Sequence, residues 1–244
     1  MKKIILLALC LCLLSGCTPA PSPAKAVQPV IDIQTVTDSF SSDDGTVLLR
    51  TTAPSITLTL ADTSVAQTIN AHLSRRVEAR MSGATDLIQY ARDEYHPQSS
   101  WNSWLCQLQA QSMRLDETVL SVYLEYSEFT GGNHPALSIE AITYDCKTGQ
   151  VLELADLLAD GHSPKELAVL VNEALYSSQD ALYDDYEALV GKAFADGDLP
   201  CWYLSGEGLC FAFAPYVIGS YASGIITATV SYEKLAQILQ PGYL

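Results

Sequence analysis

The chain has 244 residues, and its 13 basic and 28 acidic side chains give a formal net charge of −15 at pH 7. This balance disfavours nucleic-acid binding, because neutralising phosphates requires clustered Lys and Arg, and only Arg75, Arg76 and Arg80 come near such a cluster. The length is ample for a buried core, and an acidic surface either keeps a protein soluble or attracts cationic partners.

Residues 1–16 have the composition of a secretory signal peptide. Lys2 and Lys3 precede an uninterrupted apolar run at 4–14, which is shorter than the roughly 20 residues that span a hydrocarbon core. The run ends in Leu-Ser-Gly followed by Cys17, the pattern of bacterial lipoprotein processing. We expect lipidation of Cys17 and an extracytoplasmic protein anchored to the cell membrane, with an ordinarily cleaved signal as the alternative. Loss of the two lysines changes the formal charge from −15 to −17.

Residues 17–30 contain four prolines and few bulky apolar side chains. Such a segment cannot form a core and is predicted to be a semi-extended tether. Residues 31–100 are predicted to form a small domain of strands and a helix, and residues 101–244 a larger domain.

The small domain begins with two β-rich stretches, 31–40 and 46–60, which predict a hairpin. Asp62 then caps a segment with an apolar residue at every fourth position, typical of an amphipathic helix. This helix is predicted to continue irregularly to Tyr95, before Pro97.

The larger domain begins with three alternating stretches, which predict an antiparallel meander of strands at 104–111, 119–129 and 137–144. Helices are predicted after Ser163, over 184–195 and over 233–239, and strands are predicted at 201–204, 209–214 and 224–230. The fold class is therefore α+β: an antiparallel sheet, comprising the meander and the C-terminal strands, packed against several helices and preceded by the smaller strand-helix unit.

Four cysteines remain after processing, which allows two disulfides in three pairings. Cys106 starts the meander and Cys146 follows its end, so a bridge between them would be too long. Cys201 and Cys210 flank one tight turn and form the favoured pair, and four free thiols are the alternative.

The sequence contains matches to catalytic motifs, but the structure predicted around them does not suit catalysis. Ser22 to Lys25, Ser100 to Asn102 and Lys147 to Gly149 follow the order of the SxxK, SxN and KTG elements of penicillin-binding serine acyltransferases. However, Ser22 lies in the tether and Lys147 to Gly149 in a predicted turn. The four histidines are scattered and no metal-ligand spacing occurs, so we expect neither a metal nor another cofactor.

The loop between the second and third meander strands is the most unusual one. Gly131, Gly132, Asn133 and His134 make it rich in backbone and longer than a simple hairpin needs. It is interpreted either as a ligand-contacting tip or as a glycine-bulged turn.

Three blocks carry a resemblance to a known family. They are Glu128 to His134, Tyr144 to Leu158, and Phe211 to Gly224. In this order and spacing they resemble the extracytoplasmic domains of unknown function found in RsiV-like anti-sigma factors, which sense lysozyme, and beside some peptidoglycan deacetylases. The resemblance implies an α+β binding module without catalysis. The sigma-binding part, the transmembrane helix and the deacetylase domain of those relatives have no counterpart in this sequence.

Two functions are therefore expected. The first is a non-catalytic surface lipoprotein that binds a lysozyme-like cationic protein or a cell-wall glycan through the loop at His134. For a glycan, the sequence offers four aromatic residues if they are exposed: Tyr183, Tyr186, Trp202 and Tyr203. The alternative is an envelope hydrolase that pairs His134 with Glu125 or Glu128.

Overall fold

The computed structural model describes residues 27–98 and 100–244. The signal segment, Cys17 and most of the predicted tether lie outside these residues. The described residues form nine strands in two sheets and five α-helices, so the predicted α+β class is confirmed. Within the described ranges, no helix has both the length and the apolar character needed to cross a membrane.

The first sheet contains six strands in chain order. They are β1 (Val30–Ser41), β2 (Val47–Thr59), β3 (Trp104–Leu115), β4 (Val119–Phe129), β5 (Ala136–Asp145) and β6 (Val151–Leu152). The predicted hairpin of β1 and β2 and the predicted meander of β3 to β5 are both confirmed. Alternation of polar and apolar residues predicted these strands. In β3 the buried positions alternate, whereas Val119 to Leu124 of β4 are buried on both faces, between α1 and the second sheet.

A long helix packs with its apolar face on one side of this sheet. α1 (Thr63–Met81) begins at Asp62, whose carboxylate accepts from the backbone N–H groups of the first helical turn. The apolar stripe of α1 packs on alternate residues of β4 and β5. The chain breaks at Ser82 and Gly83 and continues as α2 (Ala84–Glu94), so the predicted irregular helix is two helices.

The six-stranded sheet continues across the predicted boundary between residues 100 and 101. β2 pairs with β3 in parallel, from Leu49 opposite Trp104 to Thr52 opposite Gln107. All other neighbours in this sheet are antiparallel. The small strand-helix unit and the meander therefore share one sheet.

The second sheet contains the C-terminal strands β7 (Cys201–Leu204), β8 (Gly208–Phe213) and β9 (Ile226–Ser231). It lies between the first sheet and a helical layer of α3 (Leu167–Leu175) and α4 (Tyr186–Asp196), and the short α5 (Tyr232–Leu235) follows it. Every residue of β8 is buried, because apolar residues of β8 pack on both sides. The C-terminal strands thus form a sheet of their own instead of extending the meander.

Polar contacts join the two sheets. The hydroxyl of Ser121 in β4 accepts from the backbone N–H of Leu204 in β7 at 3.1 Å. The guanidinium of Arg114 in β3 donates to the Tyr232 hydroxyl at 2.7 Å and to the Tyr243 carbonyl at 2.8 Å. The C-terminal segment is therefore fixed to the first sheet through one half-buried arginine.

The strand register defines two ends of the first sheet. Val30 at the start of β1 lies at one end, with the turn that joins β3 to β4. The loop between β4 and β5 lies at the other end, together with the turn between β1 and β2. β4 has 11 residues, so these ends are about 35 Å apart at roughly 3.4 Å per residue.

Candidate functional site

The loop between β4 and β5 has the glycine-dependent backbone that its sequence indicates. Gly131 has φ 103° and Gly132 has φ 94°, a region that L side chains rarely adopt. Both lie in open space, with no other atom within 4 Å of the position that a Cβ would occupy. Backbone conformation, not crowding, therefore explains the paired glycines, and the loop carries the exposed His134 beyond the sheet.

His134 belongs to an aromatic cluster that we call the tip cluster: His134, Tyr216 and Tyr221. The imidazole stacks on the Tyr221 ring, with centroids 3.7 Å apart and planes 20° apart. Nδ1 lies 3.1 Å from the Pro135 carbonyl, which can only accept, so Nδ1 carries the proton. Nε2 lies within hydrogen-bond distance of the Tyr216 hydroxyl, at 3.3 Å. Both ring nitrogens have partners.

Tyr216 adopts a strained backbone conformation in the loop between β8 and β9. Its φ is 72°, and it is the one non-glycine residue with positive φ in the described part of the chain. For a bulky residue this backbone conformation costs about 1–3 kcal/mol. The side chain is 58% exposed, so burial does not compensate for the strain. Strain of this kind concentrates at functional sites.

A second segment holds the loop that carries Tyr216. Gly219 forms a β-bridge with Leu182, and the Tyr183 N–H donates to the Ile218 carbonyl at 2.9 Å. Gly219 lies so close to this segment that a Cβ would be 2.7 Å from the Ala181 carbonyl oxygen. The tip cluster is therefore built on a packed and hydrogen-bonded base.

The same β-bridge places exposed carboxylates near the loop that carries Tyr216. Asp180, Asp184 and Asp185 flank Leu182 in sequence, and all three are exposed. Because Leu182 is bridged to Gly219, these acids lie beside the loop that contributes Tyr216 and Tyr221. An exposed aromatic cluster thus has acidic neighbours.

The glutamates that the sequence offered as partners of His134 have other positions. Glu128 accepts from the Tyr126 hydroxyl at 2.7 Å, and that hydroxyl also lies 3.3 Å from the Cys106 thiol. Glu125 pairs across the sheet with Ile139, within the strands and not in the loop. The hydrogen-bond partners of His134 are Pro135 and Tyr216. Neither is a carboxylate.

Two of the four aromatic residues proposed for glycan contact are buried. Tyr186 is 8% exposed and Tyr203 is 7% exposed, because their rings belong to the packed layers on either side of the second sheet. Trp202 is half-buried, and Tyr183 is exposed beside the tip cluster. The condition set for glycan contact, exposure of these rings, is therefore not met by two of the four.

The four cysteines among the described residues are free thiols: Cys106, Cys146, Cys201 and Cys210. Cys106 and Cys146 lie at opposite ends of the meander, as predicted. The bond expected between Cys201 and Cys210 is not formed: Cys201 lies opposite Ala212, and Cys210 lies two residue pairs further along, opposite Tyr203. The Cys210 sulfur instead contacts the Thr229 hydroxyl at 3.3 Å.

Lys147 to Gly149 form the predicted hairpin turn. The Asp145 carboxylate accepts from the backbone N–H groups of Lys147 and Thr148, and Gly149 has φ 77°. No group of three metal-ligating His, Cys, Asp or Glu side chains occurs within residues 27–98 and 100–244.

Comparison with known proteins identifies a domain class of unknown function. Residues 155–233, from the end of β6 to the start of α5, match the family described as "Protein of unknown function (DUF3298)". This match includes Tyr216 and Tyr221, whereas His134 precedes it. No curated protein sequence matches the chain.

Two solved structures share the fold. One is a member of the DUF3298 family from Bacteroides fragilis, with a TM-score of 0.61 and 18% identity, covering 88% of this chain and 94% of that chain. The other is a DUF3298 family protein from Pseudomonas aeruginosa, with a TM-score of 0.52 and 19% identity, covering 88% of this chain and 96% of that chain. At these identities the likeness concerns the fold.

Sequence reasoning located the loop of Gly131 to His134 and missed its partners. Tyr216 and Tyr221 lie in the third block of the resemblance, yet no spacing within that block links them to His134. The association arises from packing of one sheet on the other. The available sequence signal for Tyr216 was its position directly after Pro215, in a loop between two apolar strands.

Proposed function

We propose that the protein is a non-catalytic, RsiV-like surface lipoprotein, anchored through Cys17, whose tip cluster binds a lysozyme-like cationic protein of the cell envelope. The observation that carries the proposal is the tip cluster itself: three aromatic side chains from loops of two sheets, with an exposed and strained tyrosine among them. Aromatic side chains at loop tips supply rigid contact area at protein interfaces.

Position on the fold supports this role. The chain enters the first sheet at Val30, and the loop of His134 lies at the opposite end of that sheet. A lipid on Cys17 followed by a tether would therefore direct the tip cluster away from the membrane. An extended β4 accounts for about 35 Å of this separation.

Charge favours the cationic protein over the neutral glycan. The formal net charge is −15, and exposed carboxylates of Asp180, Asp184 and Asp185 lie beside the loop of Tyr216. Complementary charges raise association rates and select partners. The burial of Tyr186 and Tyr203 removes two of the rings that a glycan surface would use.

The hydrolase alternative has less support. A general base acts through a free ring nitrogen, commonly oriented by a carboxylate. His134 instead donates to a carbonyl through Nδ1, and its Nε2 is engaged by the Tyr216 hydroxyl. This arrangement orients the imidazole for contact and stacking.

The test is capture of hen egg lysozyme by a protein comprising residues 27–244, at 50 and 300 mM salt. We expect retention that weakens at the higher salt concentration, because exposed charges are screened there. His134→Ala and Tyr216→Ala should each reduce affinity about tenfold or more, as central aromatic contacts do. Tyr90→Ala is the matched control, since Tyr90 is 58% exposed on α2. Absence of retention, or equal retention by all variants, would refute the proposal.

A further inference from the structure

A groove on the helical layer lies apart from the tip cluster. It runs between α3 and α4, and its volume is about 500 Å³. The side chains that line it are Val169, Asn172, Glu173, Tyr176 and Glu187. The first four follow the spacing i, i+3, i+4 and i+7, so they share one face of α3 and its continuation. Leu167, Val171 and Leu175 form the buried face of α3, so the groove lies on the outer side of this layer.

Two apolar side chains of this groove are unusually exposed. Val169 and Tyr176 are each 64% exposed, the highest value for a large hydrophobic side chain in the part of the chain that the structure describes. They are seven residues apart, which is about 10.5 Å along an α-helix. Single exposed apolar side chains are common, whereas exposed apolar side chains that lie together mark binding surfaces. The groove therefore has two apolar contact points, two helical turns apart.

The surface around the groove is strongly acidic. Within residues 163–198, eight exposed acidic side chains outnumber two exposed lysines. The acids are Glu166, Glu173, Asp180, Asp184, Asp185, Glu187, Asp196 and Asp198, and the lysines are Lys165 and Lys192. In the groove itself, Glu187 is exposed, and Glu173 pairs with Lys234 of α5 at 2.8 Å. Both members of that pair are about half exposed, so the pair is weak and Glu173 can exchange its partner.

The shape and charge of the groove match one kind of occupant. A groove between two helices accepts a third helix, whose anchoring side chains recur at i, i+3, i+4 and i+7. Val169 and Tyr176 have the separation of two such anchors. The acids bordering the groove select a helix that carries lysine or arginine beside its apolar stripe. A second copy of this chain does not fit, because its own helical layer would bring like charges together.

We propose that the groove between α3 and α4 binds a cationic amphipathic peptide as a helix. The apolar stripe of the peptide contacts Val169 and Tyr176, and its cations face Glu187 and Glu173, where one of them replaces Lys234. The site differs from the tip cluster in position and in ligand, so it stands independently of the lysozyme proposal. Binding of this kind accounts for the coincidence of the two most exposed apolar side chains with an acidic border.

The test uses the 14-residue peptide KLAKLAKKLAKLAK, whose leucines and lysines occupy opposite faces of a helix. Fluorescence anisotropy of the labelled peptide, titrated with a protein comprising residues 27–244, should show saturable one-to-one binding. A scrambled peptide of the same composition should bind at least tenfold more weakly, because it keeps the charge and loses the apolar stripe. The peptide with glutamate in place of every lysine should not bind.

Substitutions at the groove separate the apolar contribution from the charge. Val169→Ser and Tyr176→Ser should each reduce the affinity for the cationic peptide at least fivefold. Tyr90→Ser is the matched control, because Tyr90 is 58% exposed on α2 and does not line the groove, and it should change the affinity less than twofold. Glu187→Gln should reduce the affinity several-fold. Glu207→Gln makes the same change in the exposed turn between β7 and β8 and should have less than a twofold effect.

Lys234→Gln should act in the opposite direction. It frees Glu173 for a cation of the peptide, so the affinity should increase about twofold. Thermal unfolding establishes that each variant is folded, and Val169→Thr, which keeps the shape of valine, replaces Val169→Ser if the latter is not.

Absence of binding would overturn the proposal. Equal binding of the scrambled peptide would also overturn it, since the peptide would then only adsorb to an acidic surface. An equal loss of affinity in Tyr90→Ser and Tyr176→Ser would place the binding elsewhere. The assay contains no lysozyme, so none of these results bears on the function of the tip cluster.

Discussion

His134 and Tyr221 stack at 3.7 Å although they belong to loops of different sheets. Their contact links the end of the meander to the loop between β8 and β9. Stacked aromatic pairs are worth about 0.5–1.5 kcal/mol beyond their buried area. The stack therefore fixes one loop relative to the other at modest energy.

A double-mutant cycle tests this coupling. His134→Leu and Tyr221→Leu should each lower the free energy of unfolding by about 0.5–1.5 kcal/mol. The double variant should lose less than the sum by about 0.5–1 kcal/mol, because one contact is removed only once. Urea denaturation measures all four proteins. Strict additivity would show that the rings are not coupled in solution.

A substitution of Tyr216 should reduce binding without reducing the stability of the fold. Replacing Tyr216 with Gly relieves the positive φ, and the gain is partly offset by the flexibility of glycine in the unfolded chain. We expect stability to change by about 0 to +1 kcal/mol, while lysozyme capture decreases. Val217→Gly is the control, since Val217 is 49% exposed without positive φ, and it should cost about 0.5–1 kcal/mol. A large loss of stability in Tyr216→Gly would contradict the assigned strain.

Gly219 should be intolerant of a methyl group. A Cβ at Gly219 would meet the Ala181 carbonyl oxygen and Ile226 Cδ1, each at 2.7 Å. We expect Gly219→Ala to cost about 1–3 kcal/mol, measured by chemical unfolding, and to displace residues 181–185 from the loop. Gly206→Ala is the control, because no atom lies within 4 Å of that Cβ position. Equal stability of the two variants would refute the predicted close approach.

Arg114 should contribute more to stability than a surface cation does. Its replacement by Ala removes contacts to Asp116, Tyr232 and the Tyr243 carbonyl. For a half-buried group with charged and neutral acceptors, we expect a loss of about 2–3 kcal/mol. Lys192→Ala breaks only an exposed pair with Asp196 and should cost less than about 0.5 kcal/mol. Melting temperatures and urea midpoints of both variants provide the comparison.

The lowered pKa of His72 predicts that the stability of the protein decreases as the pH falls. Burial and two nearby arginines lower the pKa of His72 in the folded protein, so the unfolded chain binds its proton more readily. The stabilisation is complete above the unfolded pKa of about 6.5 and decreases as pH falls toward the folded value. The stability difference between wild type and His72→Gln should therefore be smaller at pH 5.5 than at pH 7.5. A difference that grows on acidification would reverse the assigned shift.

Local sequence patterns predicted most of the first sheet. The alternation in β3 follows from one more deeply buried face, and the cap at Asp62 follows from unsatisfied N–H groups in the first helical turn. Such signals act over a few residues. They also located the turn at Gly149 and the loop at Gly131.

Contacts between distant segments were not predictable in the same way. Nothing near Tyr216 or Trp202 in the sequence indicates that one contacts His134 and that the other lines a cleft with Arg76. The sequence predicted strands at β7 to β9, but the choice between one sheet and two depended on apolar residues on both faces of β8. Packing of whole layers decides such features, and the tip cluster and the cleft both result from it.

The parallel pairing of β2 with β3 has a consequence for local opening. β1 and β2 are paired along their whole lengths, whereas β2 joins β3 over only four residue pairs, from Leu49 to Thr52. The ladder that joins the hairpin to the meander is therefore short, and most of the length of β1 and β2 is paired only within the hairpin. Amide hydrogens of β1 should exchange with solvent faster than those of β4, which has a long partner on each side.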